Sequence, residues 1–114
     1  MTDAHIHVRK RLAQRYPKIY KGVTIKDLKQ AKALKLFPTR GDNRWVTAII
    51  LNGVILFIVK NIYTNMIHTV LTEEQVTDRI VEWDLDITFT EKSLRAGIES
   101  KYKTYETWME SKNE

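Results

Sequence analysis

The sequence predicts an α+β domain with two N-terminal helices, a three-stranded antiparallel meander and two C-terminal helices. Three observations predict it. Apolar residues recur at helical spacing near the N-terminus, β-rich runs flank Asn52-Gly53, and helix-capping signals follow Thr72. At 114 residues the chain has the size of one domain, so we treat residues 1–114 as a single unit.

The N-terminal third is predicted to form two helices. The first places Val8 and Leu12 near one face and ends at Pro17, because proline cannot continue a helix. The second is predicted over residues 24–36, with the Thr24 side chain capping its free N–H groups. On that helix four lysines recur at every third residue and would form a broad basic ridge: Lys26, Lys29, Lys32 and Lys35.

The run RWVTAIILNGVILFIVK predicts a β-hairpin. Asn-Gly is the preferred pair for a type I′ turn, which needs a positive φ at both central residues. A two-residue loop would set Leu51 opposite Val54 and Trp45 opposite Lys60. Both faces of the hairpin are apolar near the turn, so we expect cover on two sides. If the helices left one face open, a homodimer partner could cover it.

A third strand and two further helices complete the prediction. Strict alternation over residues 66–71 would place His68 on the same side as Val70 and opposite Thr69. Thr72 and Gln75 match a capping box that opens a short helix to about residue 83. A second match at residues 88–91 predicts one final amphipathic helix over the C-terminal segment.

Composition excludes several kinds of site. The chain has no cysteine, which excludes disulfides, thiol catalysis and thiolate metal sites. It shows no Gly-rich phosphate loop, no zinc-ligand spacing and no nucleophile elbow, so we predict no cofactor and no metal site. The N-terminus lacks a secretory h-region and the longest apolar run is too short to span a bilayer. We therefore expect a soluble cytoplasmic protein with no membrane partner.

Charge is divided unevenly along the chain. Residues 1–64 hold 13 Lys or Arg against three acidic residues, a net charge of +10. Residues 65–114 hold six Lys or Arg against 11 acidic residues, a net charge of −5. Such asymmetry suggests a basic surface facing a polyanion; the alternative is two ordinary solvated faces.

His68 is the candidate for acid–base chemistry. A histidine on a central strand could activate a ribose 2′-hydroxyl or protonate a leaving oxygen near neutral pH. Thr69 or Thr72 could assist by hydrogen bonding, and Arg40 or Arg44 could offset phosphate charge. The alternative is that His68 is a half-buried sheet residue without a catalytic role.

Basic residues of the first half are the candidates for nucleic-acid contact. Arginines on one helix ridge suit phosphate because the guanidinium fork binds two of its oxygens, whereas lysines supply point charges. Trp45 next to Arg44 combines an aromatic surface with a cation, although a tryptophan at a strand start is also a common core residue. The candidate set is Arg9, Arg11, Arg15, Lys26, Lys29, Lys32, Lys35, Arg40, Arg44 and Trp45.

The helical, basic first 37 residues and the meander WVTAIILNGVILFIVKNIYTNMIHTVL resemble the barnase/RelE-like small ribonucleases and ribonuclease toxins. The resemblance is architectural and covers about residues 5–71. It implies an active site on the sheet with basic and histidine residues, where His68, Thr69 and Arg44 would lie nearest to a catalytic set. The sheet carries no glutamate base, and the two C-terminal helices are additional to that architecture.

Two function classes follow from these observations. The first is a small basic nucleic-acid-binding protein, with RNA favoured over duplex DNA, and with metal-independent RNA cleavage of toxin type as an extension. The second is a non-catalytic phage or mobile-element accessory protein that binds and inhibits a host nucleic-acid enzyme. For the second class, mutation of Glu99 or Glu106 should reduce function more than mutation of Lys29 or Lys32. The first class predicts the reverse.

Overall fold

The structure is a computed structural model that describes residues 3–39 and 43–112, with side chains from residue 6 onward. It confirms the α+β class but with a four-stranded antiparallel sheet and five α-helices within the described residues. The elements in chain order are α1 (Asp3–Arg15), a 3-10 turn (Tyr20–Gly22), α2 (Ile25–Gln30), β1 (Ala33–Pro38), β2 (Arg44–Leu51), β3 (Val54–Asn61), β4 (Ile67–Leu71), α3 (Glu73–Glu82), α4 (Glu91–Glu99) and α5 (Tyr105–Lys112).

The central hairpin forms as its turn residues predict. Asn52 and Gly53 have φ values of 51° and 79°, the positive pair that a type I′ turn requires. The strands β2 and β3 then pair in the expected register, with Leu51 opposite Val54 and Trp45 opposite Lys60. Local turn chemistry therefore fixes the alignment of the two central strands.

The helix predicted over residues 24–36 is wrong in its second half. Thr24 caps α2 with a capping box to Asp27, but the chain becomes extended at Ala31, and the next strand is β1. Leu34 and Leu36 are buried, and β1 pairs with β2 along the edge of the sheet. The lysine-, alanine- and leucine-rich segment has a high helix propensity, but propensity contributes at most about 0.7 kcal/mol per residue, and pairing with β2 and burial in the core outweigh it.

The alternation predicted for residues 66–71 breaks at His68. Ile67 pairs with Lys60 and Thr69 pairs with Val59, so His68 is the extra residue of a β-bulge. The bulge lets Ile67 and Val70 share one apolar cluster although they are three positions apart. The strict alternation expected over residues 66–71 is therefore wrong.

The molecule has three layers, with helices on both faces of the sheet. On one face, called here the α1 face, α1 and α2 bury an apolar cluster against the sheet: Val8, Leu12, Val23, Leu28, Ile49, Leu56, Ile58, Ile67 and Val70. On the other, the α4 face, the cluster includes residues of α3, α4 and α5: Leu34, Leu36, Phe37, Val46, Ala48, Phe57, Val59, Leu71, Val76, Leu94, Ile98, Tyr105 and Trp108. The predicted cover on two sides is confirmed.

Each outer strand of the sheet is hydrogen-bonded to other parts of the chain. At the end of β4, Tyr16 donates a hydrogen bond of 2.6 Å to the carbonyl of Leu71, and Arg15 donates to the carbonyl of Val70. At β1, the Lys35 N–H donates to the Lys103 carbonyl at 2.9 Å. Because helices cover both faces of the hairpin, the observation that favoured a homodimer no longer applies.

The C-terminal segment forms two helices after α3 rather than one. Thr72 and Gln75 form the predicted capping box of α3. The next box joins Thr90 and Ser93, not the predicted residues 88 and 91. The predicted final helix is interrupted between α4 and α5, where the Ser100 hydroxyl donates to the Gly97 carbonyl at 2.7 Å, a side-chain bond that competes with helix continuation.

Candidate nucleic-acid interface

The two helical layers carry opposite charge. Residues 6–32, which include α2 and most of α1, hold nine Lys or Arg and one carboxylate. That carboxylate, Asp27, accepts a hydrogen bond from the Thr24 N–H at 2.9 Å, and bonds from Thr24 lower its pKa. Residues 72–112, which form the opposite layer, hold six Lys or Arg and ten carboxylates. The asymmetry along the sequence thus becomes an asymmetry between two sides of the molecule.

The three arginines of α1 have different environments. Arg9 is exposed, and Arg11 is partly exposed and donates to the Gln14 side chain at 3.0 Å. Arg15 instead supports the fold through its bond to the Val70 carbonyl. Its pKa is lowered, first by burial and then by the charges of Arg11 and Arg79. Arg9 and Arg11 therefore remain candidates for contact with a polyanion, whereas Arg15 has a structural role.

The predicted lysine ridge does not exist as one helix face. Lys26 and Lys29 lie on α2, where Lys26 is exposed and Lys29 partly exposed. Lys32 follows the helix and forms an exposed ion pair with Glu99, with 2.9 Å between Nζ and Oε2. Lys35 lies on β1. The ridge therefore separates into a helical pair, a lysine that already has an acidic partner, and a lysine on the sheet.

A cationic pocket of about 300 Å³ lies at the end of the α1 face that is remote from the hairpin turn. The register of β1, β2 and β3 places Lys35, Thr47 and Lys60 on this face. The described residues that line it are Ala33, Lys35, Thr47, Lys60, Ile62, Asn65 and Lys103. Among them are three lysines and no carboxylate.

Two of those lysines were missed by sequence reasoning. The predicted hairpin register already paired Lys60 with Trp45. This pairing could have added Lys60 to the candidate residues, because Trp45 was one of them. Lys103 has no such signal, because the β1 contact that brings it to the pocket joins residues 68 positions apart. Trp45 is partly buried, and Lys35 Nζ lies 5.6 Å from its ring centroid.

The predicted catalytic set is only partly brought together. Arg44 is exposed at the start of β2, and its charge reaches His68 on β4. His68 Nε2 is buried and has no hydrogen-bond partner among the described residues. The pKa of His68 is lowered, first by burial and then by Arg44, which keeps its ring neutral at neutral pH. Thr69 is adjacent in sequence and is partly buried opposite Val59. Arg40, also in the candidate set, lies outside the described residues.

A second cavity, of about 610 Å³, opens between β1, the connector before α4, and α5. Its apolar lining is Leu36, Phe37, Pro38, Trp45, Leu85, Ile87, Tyr105 and Met109. Three carboxylates, those of Asp86, Glu106 and Glu110, also line it. We call this cavity the acidic groove.

Within residues 3–39 and 43–112, no group of three or more His, Asp or Glu side chains is placed to hold a metal ion. No helix in this part of the chain has the length and apolarity needed to cross a membrane.

No family model, curated protein or solved structure matches this chain. The resemblance to small ribonucleases therefore stays a hypothesis.

Proposed function

We propose that this protein binds single-stranded nucleic acid, RNA in preference to duplex DNA, through the α1 face and its helices. The observation that carries the proposal is the separation of charge between the two helical layers. Residues 6–32 hold nine cationic side chains, among them Arg9, Arg11 and Lys26, and one carboxylate, Asp27, which is engaged in a helix cap. A polyanion would be attracted to this layer and repelled by the other.

The helix pair of this surface does not suit a helix-turn-helix contact with duplex DNA. In that motif the second helix enters the major groove, and the second helix here, α2, has six residues, about 9 Å at 1.5 Å per residue. Lys35 beside the Trp45 ring, in contrast, pairs a cation with an aromatic face on the sheet. Backbone charge and base stacking together are the usual basis of single-strand binding.

A salt series tests this proposal directly. We expect labelled single-stranded RNA to bind at low salt. A plot of the logarithm of the binding constant against the logarithm of the salt concentration should have a negative slope, which becomes shallower by about 0.7 for each phosphate contact removed. Arg9→Gln and Lys26→Gln should each reduce the affinity for RNA and the steepness of its salt dependence. Lys92→Gln removes an exposed lysine from the acidic side and is the matched control. Equal losses in all three variants, or no binding at low salt, would refute the proposal.

The ribonuclease extension is tested in the same tubes. RNA cleavage by the wild type but not by His68→Ala would make His68 catalytic. The burial of Nε2 supports binding without cleavage, because a general base must come within hydrogen-bond reach of its substrate.

The acidic groove supports a second candidate function, the docking of a basic segment from a nucleic-acid-processing protein. Carboxylates beside an apolar surface suit a segment in which cations alternate with large apolar residues. In that case Glu106→Gln should weaken the interaction more than Lys29→Gln. Glu99 and Lys32 are poor probes for either function, because they neutralise one another.

A further inference from the structure

The lysines of the cationic pocket have an electrostatically unfavourable environment that the fold alone does not explain. Lys60 is partly buried, and its pKa is lowered by desolvation and then by the charge of Lys35. Burial and like charge both disfavour the ammonium form. Lys103 adds a third positive charge to the lining, and none of the described lining residues is a carboxylate. An anion in the pocket would offset this repulsion.

The pocket is held in shape by the main chain. The Lys35 N–H donates to the Lys103 carbonyl at 2.9 Å, and Lys35 forms a parallel bridge with Thr104. The register of β2 and β3 fixes Lys60 relative to Thr47, whose side chain is 1% exposed. The Thr47 hydroxyl has a long bond of 3.4 Å to the Trp45 carbonyl, so it can donate to a better acceptor. These groups come from four segments and are positioned before any ligand binds.

We infer that this pocket binds a terminal phosphate group, carried either by the end of an RNA strand or by a free mononucleotide. A phosphomonoester has a charge of about −1.5 to −2 and three acceptor oxygens, whereas a backbone phosphodiester has a charge of about −1. Three ammonium groups and a hydroxyl match the monoester. At about 300 Å³ the cavity is large enough for a phosphate with part of its sugar.

An aromatic ring is connected to the pocket through Lys35. Lys35 lines the pocket, and its Nζ lies 5.6 Å from the Trp45 ring centroid, whereas Trp45 itself lines the acidic groove. The RNA source of the phosphate rests on the function proposed above, whereas the mononucleotide source does not.

The test compares single-stranded RNAs of one sequence that end in a 5′-phosphate, a 3′-phosphate or hydroxyl groups, by fluorescence anisotropy. We expect one terminal phosphate to tighten binding about tenfold, the effect of one charge-assisted interaction. Lys60→Gln and Lys103→Gln should each abolish the tighter binding of RNA that carries a terminal phosphate. Lys101→Gln changes an exposed lysine in the same connection and should retain it. Because Lys103 is exposed, its variant keeps the test valid if Lys60→Gln does not fold.

A second arm uses adenosine monophosphate, adenosine and inorganic phosphate, followed by amide chemical shifts of residues 35, 60 and 103. Shifts with the monophosphate but not with adenosine support the pocket, and a weaker effect of inorganic phosphate supports a nucleotide as the ligand. If hydroxyl-ended RNA binds, terminal phosphate adds nothing and the monophosphate leaves these amides unmoved, the pocket inference is overturned while the proposed function stands. If no RNA binds but the monophosphate moves the amides, the proposed function fails and the pocket stands.

Discussion

Gly97 of α4 lies directly over Leu34 of β1, so closely that a Cβ atom at position 97 would stand 2.6 Å from Leu34 Cδ2. The same atom would lie 3.4 Å from two ring carbons of Trp108 on α5. Glycine at this position therefore lets a helix approach the sheet at the point where α4, α5 and β1 meet. Loss of that approach would affect the core of the α4 face.

Gly97→Ala should lower the free energy of unfolding by about 1 kcal/mol, because overpacking a core costs about 1–3 kcal/mol and the better helix propensity of alanine in α4 returns up to about 1 kcal/mol. Gly22→Ala is the matched control, because a Cβ atom there would meet no other described residue within 4 Å apart from its chain neighbours. Urea denaturation of both variants measures the difference. Equal stability of the two would show that Leu34 can move aside without cost.

Tyr16→Phe should cost about 1 kcal/mol at pH 7, because it leaves the Leu71 carbonyl without the hydroxyl donor. The Tyr63 side chain is 77% exposed, and Tyr63→Phe should leave the free energy of unfolding at pH 7 unchanged. Chemical denaturation of the three proteins gives the comparison. Equal losses in both variants would contradict a specific role for the Tyr16 bond.

Stability should fall as the pH rises above about 10. Burial raises the pKa of both Tyr16 and Tyr105 above the ordinary value of 10.0. The unfolded chain therefore loses these protons first, and deprotonation favours unfolding. Tyr16→Phe and Tyr105→Phe should each flatten this loss when unfolding is followed between pH 9 and pH 11. A slope unchanged in both variants would assign the alkaline loss to other groups.

Stability should also fall as the pH drops below about 6.5, in part through His68. Its lowered pKa means that the unfolded chain binds the proton first, so acid favours unfolding until the folded pKa is reached. His68→Leu should reduce the loss of stability between pH 7 and pH 5, and Thr69→Val, a non-titrating neighbour, should not. An NMR titration of the imidazole measures the lowered pKa itself. A value at or above 6.5 would contradict the burial argument.

Thr72→Ala should cost about 1 kcal/mol, because the Thr72 hydroxyl accepts from the Gln75 N–H at 3.2 Å and caps α3. Thr77→Ala changes an exposed threonine within the same helix and should cost nothing, since alanine is the better helix former. Thermal unfolding of the pair isolates the cap from the general effect of the substitution. A smaller loss at Thr72 than at Thr77 would mean that the capping box is not formed in solution.

Local chemistry was sufficient wherever neighbouring residues decide the conformation. Asn52-Gly53 set the turn and with it the whole register of β2 and β3, because a two-residue loop allows one alignment. Thr72 and Gln75 marked the start of α3, because both capping partners lie within one turn. The charge asymmetry was likewise visible in the sequence, since it needs only counting.

Tertiary structure decided the rest. The chain from Ala33 to Pro38 is a strand because it pairs with β2 and buries its apolar side chains in the core. Local helix propensity contains neither of these interactions. The bulge at His68 depends on the register with β3, and a one-residue shift reverses the side-chain alternation. The approach of Lys103 to Lys35 and Lys60 depends on a contact between distant segments. The sequence by itself thus determined the class, the hairpin and the charge, whereas long-range pairing decided the fourth strand and assembled the pocket.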